Sequence, residues 1–148
     1  MKKEITQNAK KSVPLSSKTP KIIQEVGFDF DWDSKKVWAL KIPTVSMPIK
    51  HLLWHFDIPF WEKQHTNNYN LTPYQVIEHP TKHPLHYNKI KRARLKYPID
   101  IMKNKGRWLI LDGLHRLTKA HMQGLIKVQV RKIPRKQIPL IISSKSKK

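Results

Sequence analysis

The clearest pattern of apolar and polar positions lies between residues 107 and 124. Trp108–Leu111 is an apolar run of strand length, and Asp112-Gly113 follows it as a tight turn. The next residues place apolar side chains at helical spacing: Leu114, Leu117 and Met122. Gly124 stands where helices commonly end, and Leu125–Ile133 has the composition of a strand. The pattern predicts a strand, a helix capped by Asp112, and a second strand.

The chain between residues 28 and 56 predicts two strands and a helix. Aromatic and acidic residues alternate from Phe28 to Asp33, which is typical of a half-buried strand with an acidic face. Three carboxylates in a row can hold a divalent cation or face water, but a flat strand spaces them too widely to cage one ion. Val37–Ile42 predicts a second strand. Met47–Phe56 predicts a helix with Pro48 at its first position.

Residues 72 to 111 predict two helices and a hairpin. Thr72 is a suitable cap for a helix ending at Glu78, and Pro84 opens a second helix running to about Lys96. The second helix should bury three side chains: Ile90, Ala93 and Tyr97. Ile99–Met102, a turn at 103–106 and Arg107–Leu111 predict an antiparallel hairpin. These elements predict one α+β domain over residues 22–142, with a small mixed sheet and flanking short helices.

Charge is concentrated at the two ends of the 148-residue chain, whose net charge is +20. Residues 1–21 hold six Lys and one Glu, and residues 131–148 hold seven Lys or Arg and no acid. Residues 1–21 and 143–148 have few apolar groups, so we expect them to be disordered basic arms. No apolar run is long enough to span a membrane, the N-terminus does not resemble a secretory signal, and the absence of cysteine fits a cytoplasmic protein.

The predicted helix after Gly113 offers the chemistry of an anion site. The first N–H groups of a helix have no partner within it, and its dipole places positive charge there, so such an end can bind phosphate. His115 and Arg116 lie in its first turn, and Lys119 lies one turn beyond His115. Asp112 would cap the helix or reach magnesium. The alternative is a plain capped helix whose cations face water.

A family resemblance sharpens this expectation. Leu111-Asp-Gly-Leu-His-Arg-Leu117 resembles the signature of the ParB/sulfiredoxin superfamily, and the resemblance extends upstream over 93–101 and downstream over 128–130, with the middle of the chain more weakly similar. The resemblance implies a ParB/sulfiredoxin-like fold that holds a nucleotide of the ATP or CTP class with Mg²⁺. The residues it implies for binding are Asp112, Gly113, Leu114, His115, Arg116 and Lys119. Leu114 stands where sulfiredoxins have their reactive cysteine, which excludes thiol-based sulfinic acid repair. Too little chain follows Gly124 for the helix-turn-helix domain of full-length partition proteins.

Candidate catalytic groups lie upstream in an aromatic, proline-containing segment. Asp57 or Glu62 could serve as general base or magnesium ligand beside Trp54, Phe60 and Trp61, and His115 could act with them. The same aromatics could instead pin a structural loop to the core. His51 and His55 have a metal-ligand spacing, with His65 further on, but no zinc motif accompanies them, so we predict no metal site there.

Three functions follow from these features. The first is a protein that binds a nucleotide or phosphorylated small molecule; if it is an enzyme, NTP hydrolysis or phosphoryl transfer suits the site. The second is a DNA-associated accessory or nuclease-like protein that binds nucleic acid through its basic arms and the helix within residues 82–96. The third is an interaction module without catalysis, in which Arg116 pairs with an internal carboxylate.

Overall fold

The computed structural model describes residues 19–66 and 69–143. Within these ranges the helices are α1 (Lys21–Val26), α2 (Ser34–Ala39), α3 (Pro73–Glu78), α4 (Pro84–Arg92), α5 (Leu114–Met122) and α6 (Ile138–Ile141). The strands are β1 (Thr44–Pro48), β2 (Ile99–Asn104), β3 (Arg107–Asp112) and β4 (Lys127–Lys132). The predicted basic arms lie almost wholly outside the described residues, and α1 begins one residue before the predicted start of the domain.

The four strands form one mixed sheet in the order β1-β4-β2-β3. β2 and β3 form the predicted antiparallel hairpin, with Ile101 opposite Ile110. β4 pairs in parallel with β2 and antiparallel with β1. The predicted fold class, an α+β domain with a small mixed sheet and short helices, is therefore confirmed.

The predicted strand-helix-strand unit is present as β3, α5 and β4. α5 links the edge strand β3 to β4, and this connection passes β2 because β2 lies between the two strands in the sheet. Leu117 and Ala120 are buried on its inner face, and Gly124 follows it with a φ of 78°. Leu117 and Ala120 pack in a core with residues of the two central strands, β2 and β4: Ile99, Ile101, Val128 and Val130. Met122 is 42% exposed, so the predicted apolar stripe does not extend to it.

The opposite face of the sheet is covered by segments before β1 and after β4, where two predicted strands are wrong. Phe28 and Phe30 are buried with their ring centres 5.1 Å apart, but residues 28–33 form bends and one isolated bridge at Trp32. The alternation therefore places aromatic rings in the core without a strand ladder. Asp33 caps α2 by accepting a hydrogen bond from the Lys35 N–H, so Ser34–Ala39 is helical where a strand was predicted to begin at Val37.

The single helix predicted for Met47–Phe56 is also wrong. Met47 and Pro48 end strand β1, where Met47 lies opposite Val128, and two short 3₁₀ helices follow at Ile49–His51 and Leu53–Asp57. β1 is an edge strand, a place where a proline without an N–H is tolerated. Pairing with β4 thus overrides the local preference of Pro48 for a helix start.

The two helices predicted before the hairpin are present, with one difference in length. Thr72 caps α3 in a reciprocal capping box with Gln75, and α4 begins at Pro84 as predicted. α4 ends at Arg92 because Ala93 is extended, with a ψ of 144°. Tyr97 therefore lies beyond the helix and is 51% exposed, which corrects the prediction that it packs inward. Among the described residues no helix has the length and apolar composition needed to cross a bilayer.

Candidate functional site

Gly113 brings the start of α5 against β2. Its φ of 120° lies in the left-handed region that favours glycine. A Cβ atom here would lie 3.1 Å from the side chain of Ile99 and 3.0 Å from Nη2 of Arg116. The guanidinium of Arg116 is therefore folded back beside the turn, which is the arrangement that a phosphate site at this helix start requires.

The first turn of α5 has no side-chain cap. Gly113 is the capping residue, and the first backbone bond of the helix runs from the Leu117 N–H to the Gly113 carbonyl. The N–H groups of Leu114, His115 and Arg116 precede that bond, and no described residue accepts a hydrogen bond from them. Asp112, predicted as the cap, is instead the last residue of β3.

The carboxylate of Asp112 is occupied by two other donors. Its Oδ2 accepts a hydrogen bond from Nε1 of Trp38 at 2.7 Å and another from Nη2 of Arg116 at 3.2 Å. The second contact is the internal ion pair that the interaction-module alternative predicts. It leaves Nε of Arg116 buried without a hydrogen-bond partner among the described residues. Such a buried N–H is destabilising until an acceptor reaches it.

Arg116 opens onto a cleft of about 520 Å³. The cleft is lined by two aromatic residues, a proline, a carboxylate and two guanidinium groups: Trp38, Tyr97, Pro98, Asp100, Arg116 and Arg131. Its volume lies within the range of roughly 300–1,000 Å³ found for small-molecule sites. The cleft therefore has room for a ligand of nucleotide size next to the start of α5.

Asp100 and Arg131 form a buried pair in the wall of this cleft. Nε of Arg131 donates to Oδ1 of Asp100 at 2.7 Å, and its two terminal nitrogens donate to the carbonyls of Leu40 and Val37 at 2.7 and 2.8 Å. Burial raises the pKa of Asp100, and the adjacent guanidinium of Arg131 opposes that effect. All three nitrogens of Arg131 are therefore used within the protein, whereas Arg116 retains an unpaired N–H.

His115 lies in a different environment from Arg116. Its ring stacks on Trp61 at 4.4 Å and forms a hydrogen bond between its Nε2 and Nδ1 of His86, 3.0 Å apart. His86 stacks on the same indole at 4.7 Å, and its Nε2–H donates to the Glu62 carbonyl at 3.0 Å. Burial, followed by the charges of His86, Lys89 and Arg116, lowers the pKa of His115 to about 3. His115 is therefore neutral at physiological pH and adds no positive charge to the helix start.

The remaining predicted site residues are dispersed. The Glu62 carboxylate lies 3.3 Å from Nε2 of His86 and is thus linked to His115 through that ring. Asp57 is exposed at the end of a 3₁₀ helix and has no described contact with either. Nζ of Lys119 donates to the carbonyls of Lys91 and Ala93, both at 2.8 Å, and so ties α5 to the end of α4. Leu114 packs partly buried against the core.

The paired histidines at 51 and 55 do not converge on an ion. His55 is in the core, where its Nδ1–H donates to the Leu52 carbonyl at 2.8 Å and its Nε2 accepts from the Ile110 N–H at 3.1 Å. His51 is exposed. In the part of the chain that the structure describes, no group of three or more His, Cys, Asp or Glu side chains is placed to hold a metal.

Several residues of the cleft were missed from the sequence because they come from distant segments. Trp38 falls in a stretch predicted to be a strand, and Tyr97 in one predicted to be buried. Asp100 had a usable signal, since the predicted hairpin brings β2 and β3 together and Asp100 lies opposite Asp112. No local pattern marks Arg131, nor His86 in the separate environment of His115.

No protein-family model, curated protein or solved structure matches this chain. The resemblance to the ParB/sulfiredoxin superfamily therefore depends on residues 111–117 and their flanks, and stays a prediction.

Proposed function

We propose that this chain binds the phosphate of a nucleotide or phosphorylated small molecule in the cleft at the start of α5. The observation that carries the proposal is the guanidinium of Arg116, which lines the cleft, has its Nη2 beside Gly113 at the uncapped helix start, and keeps a buried Nε without a partner among the described residues. An anion placed there would accept from both kinds of donor. Guanidinium groups suit phosphate because their donors form a planar fork.

The charges near the cleft favour an anion that competes with Asp112 for Arg116. Asp100 and Arg131 form one pair, and Asp112 and Arg116 form the other. The first pair is almost fully buried, whereas the side chains of the second are 20% and 27% exposed. A phosphate therefore needs to displace only the partly exposed contact between Arg116 and Asp112. Asp112 would still accept from Trp38, and would be free on its other side to approach a Mg²⁺ ion carried by the nucleotide.

If the protein is an enzyme, the reaction that suits this site is NTP hydrolysis or phosphoryl transfer. It would act in the cytoplasm and use ATP or CTP. In such reactions positioning and charge neutralisation do most of the work. Glu62 and His115 support a role in proton transfer because His86 contacts both: its Nδ1 is hydrogen-bonded to Nε2 of His115, and its Nε2 lies 3.3 Å from the Glu62 carboxylate. Asp57 lacks that connection and is the weaker candidate for a general base.

Calorimetric titration tests the binding proposal. ATP, CTP and pyrophosphate, each with Mg²⁺, would be titrated into the wild-type protein, Arg116→Ala and the control Arg94→Ala, which removes an exposed arginine outside the cleft. We expect Arg116→Ala to weaken binding about tenfold or more, as for loss of a charge-assisted hydrogen bond. Arg94→Ala should bind like wild type. Failure of all three anions to bind the wild type, or unchanged binding by Arg116→Ala, would overturn the proposal.

A second candidate function is nucleic-acid binding, favoured by the surface around the end of α4. Five cations on this surface are exposed and form no ion pair with a described acid: Lys89, Lys91, Arg92, Arg94 and Lys96. Such a surface binds phosphate backbones in a salt-sensitive manner. Fluorescence anisotropy with a labelled 20-nucleotide strand should show weaker binding when Lys91, Arg92 and Arg94 are all changed to Gln, and no change for Arg116→Ala. The opposite pattern would exclude this surface.

A further inference from the structure

We infer that the cleft holds a planar aromatic ring between Trp38 and Tyr97, so that its ligand is a nucleoside phosphate rather than a sugar phosphate or an inorganic anion. This inference rests on the proposed function, since it assigns the part of the ligand that lies beyond the phosphate. It is carried by two aromatic side chains that line the same cleft as Arg116 and remain exposed.

Trp38 is exposed yet fixed in position. Its side chain is 57% exposed, an unusual state for the largest apolar residue, and its indole N–H is held by Asp112 at 2.7 Å. The same carboxylate accepts from Arg116 at 3.2 Å. One edge of the indole is therefore anchored next to the proposed phosphate contact. Its uncovered apolar area is available to a ligand, because burial of such area is favourable.

Hydrogen bonds from strand β4 hold the backbone on either side of Trp38 in place. The guanidinium of Arg131 donates to the carbonyls of Val37 and Leu40, on either side of Trp38 and its neighbour Ala39. Arg131 is in turn bound to the buried carboxylate of Asp100. These contacts hold the end of α2 against β4 and β2, so the position of Trp38 is set before any ligand binds.

Tyr97 enters the cleft from a different segment. It lies between α4 and β2 and is 51% exposed, while Nζ of Lys96 lies 5.3 Å from the centre of its ring. Pro98, whose ring restricts the backbone, follows it and also lines the cleft. Two exposed aromatic side chains in one cleft suit a flat ring, since nucleobases gain binding energy by stacking on aromatic side chains. A sugar phosphate would instead call for many hydrogen-bonding groups around its hydroxyls.

The carboxylate of Asp112 joins the two proposed contacts, because it binds both Trp38 and Arg116. Oδ1 of Asp112 receives no hydrogen bond from a described residue, whereas Oδ2 receives two. Phosphate on Arg116 and a base beside Trp38 would then lie within one cleft of about 520 Å³, which accommodates a mononucleotide.

Calorimetry with matched probes tests this assignment. ADP, ribose 5-phosphate and pyrophosphate, each with Mg²⁺, would be titrated into the wild type, Trp38→Ala, Tyr97→Ala and Tyr97→Phe. Leu140→Ala, which truncates an exposed apolar side chain outside the cleft, is the control. Urea denaturation would establish that each variant is folded. Because two single variants remove different walls, misfolding of one leaves the other as a test.

The expected result is a loss confined to the nucleotide. Trp38→Ala and Tyr97→Ala should each weaken ADP binding about fivefold or more, the size expected for one stacked base. Tyr97→Ala, which keeps the Trp38 and Arg116 bonds to Asp112, should leave pyrophosphate within about twofold. Tyr97→Phe and Leu140→Ala should bind ADP like wild type, and ribose 5-phosphate should bind no better than pyrophosphate. If both alanine variants bind ADP as tightly as wild type while pyrophosphate still binds, the aromatic site is wrong and the phosphate site stands. If the wild type binds none of the probes, the proposed function fails and the inference fails with it.

Discussion

Acid should destabilise this protein through His55, whose two hydrogen bonds require one neutral form of the ring. Nδ1–H donates to the Leu52 carbonyl, and Nε2 accepts from the Ile110 N–H on the outer edge of β3. A proton added at Nε2 would face the Ile110 N–H and break that bond. His55 is 1% exposed, and this burial lowers its pKa to about 4. The hydrogen bond to Leu52 opposes this shift, and the charge of Arg107 adds a smaller lowering.

The size of the effect follows from the difference between the folded and unfolded pKa values. The unfolded chain binds a proton at His55 near pH 6.5, and the folded chain only near pH 4. The contribution of the neutral ring to the free energy of unfolding is therefore fully present above about pH 6.5. It falls as the pH drops towards 4 and changes no further below that value. At about 1.4 kcal/mol per pKa unit the whole effect is roughly 3 kcal/mol, of which about 2 kcal/mol is lost between pH 7 and pH 5.

Urea denaturation at pH 7, 6 and 5, followed by tryptophan fluorescence, measures this loss. We expect the stability difference between wild type and His55→Gln to shrink by about 2 kcal/mol from pH 7 to pH 5, because the variant has no ring to protonate. His51→Gln, at an exposed position in the preceding 3₁₀ helix, should keep the wild-type pH dependence. The reasoning is refuted if His55→Gln loses as much stability as wild type. An NMR titration of the wild type gives a second reading, since the His55 ring should stay neutral down to about pH 5.

Three further changes test a turn, a buried ion pair and a helix cap. Gly113→Ala should destabilise the protein by more than Gly106→Ala in thermal denaturation, because both positions have positive φ but only a Cβ at 113 has neighbours within 4 Å; equal losses would contradict this. Arg131→Met should cost about 3–5 kcal/mol in urea denaturation because it leaves Asp100 buried without its partner, and a loss below about 1 kcal/mol would show that the pair does not matter. Thr72→Ala should cost about 1 kcal/mol by the same assay through loss of the α3 cap, and an unchanged midpoint would argue against it.

The part of the fold that the sequence predicted correctly is the part with strong local signals. The hairpin has a glycine in its turn, α5 is bounded by Gly113 and Gly124, and α3 has a capping Thr72 before its proline. These residues act on the backbone within a few positions of themselves. Their influence does not depend on which other segment packs against them, so inspection of the sequence is sufficient.

The errors occur where distant segments decide the local structure. The alternation of Phe28, Phe30 and Trp32 satisfies a core without a strand, because all three rings pack together and on the sheet. Pro48 ends an edge strand because β4 offers hydrogen-bonding partners to the residues before it. The alternation assigned Asp33 to the end of a strand, although Asp is also a common helix cap, and only the structure distinguishes the two.

In the candidate site, too, local contacts could be predicted from the sequence and contacts between distant segments could not. Gly113 and Arg116 could be placed together from their spacing, since the first turn of a helix brings such neighbours into contact. The placement of His115 could not be predicted, because it depends on Trp61 and His86 from other segments. The aromatic side chains of the cleft belong to stretches whose predicted structure or burial was wrong, so their convergence could not be predicted either.

The most direct test of the phosphate site is an NMR titration of the ¹⁵N-labelled protein with magnesium pyrophosphate. A phosphate site at the start of α5 predicts that the largest shifts on saturation occur at the backbone N–H groups of Leu114, His115 and Arg116 and at Nε–H of Arg116. It is contradicted if pyrophosphate saturates the protein while those signals stay in place, or if the largest shifts lie at residues 89–96.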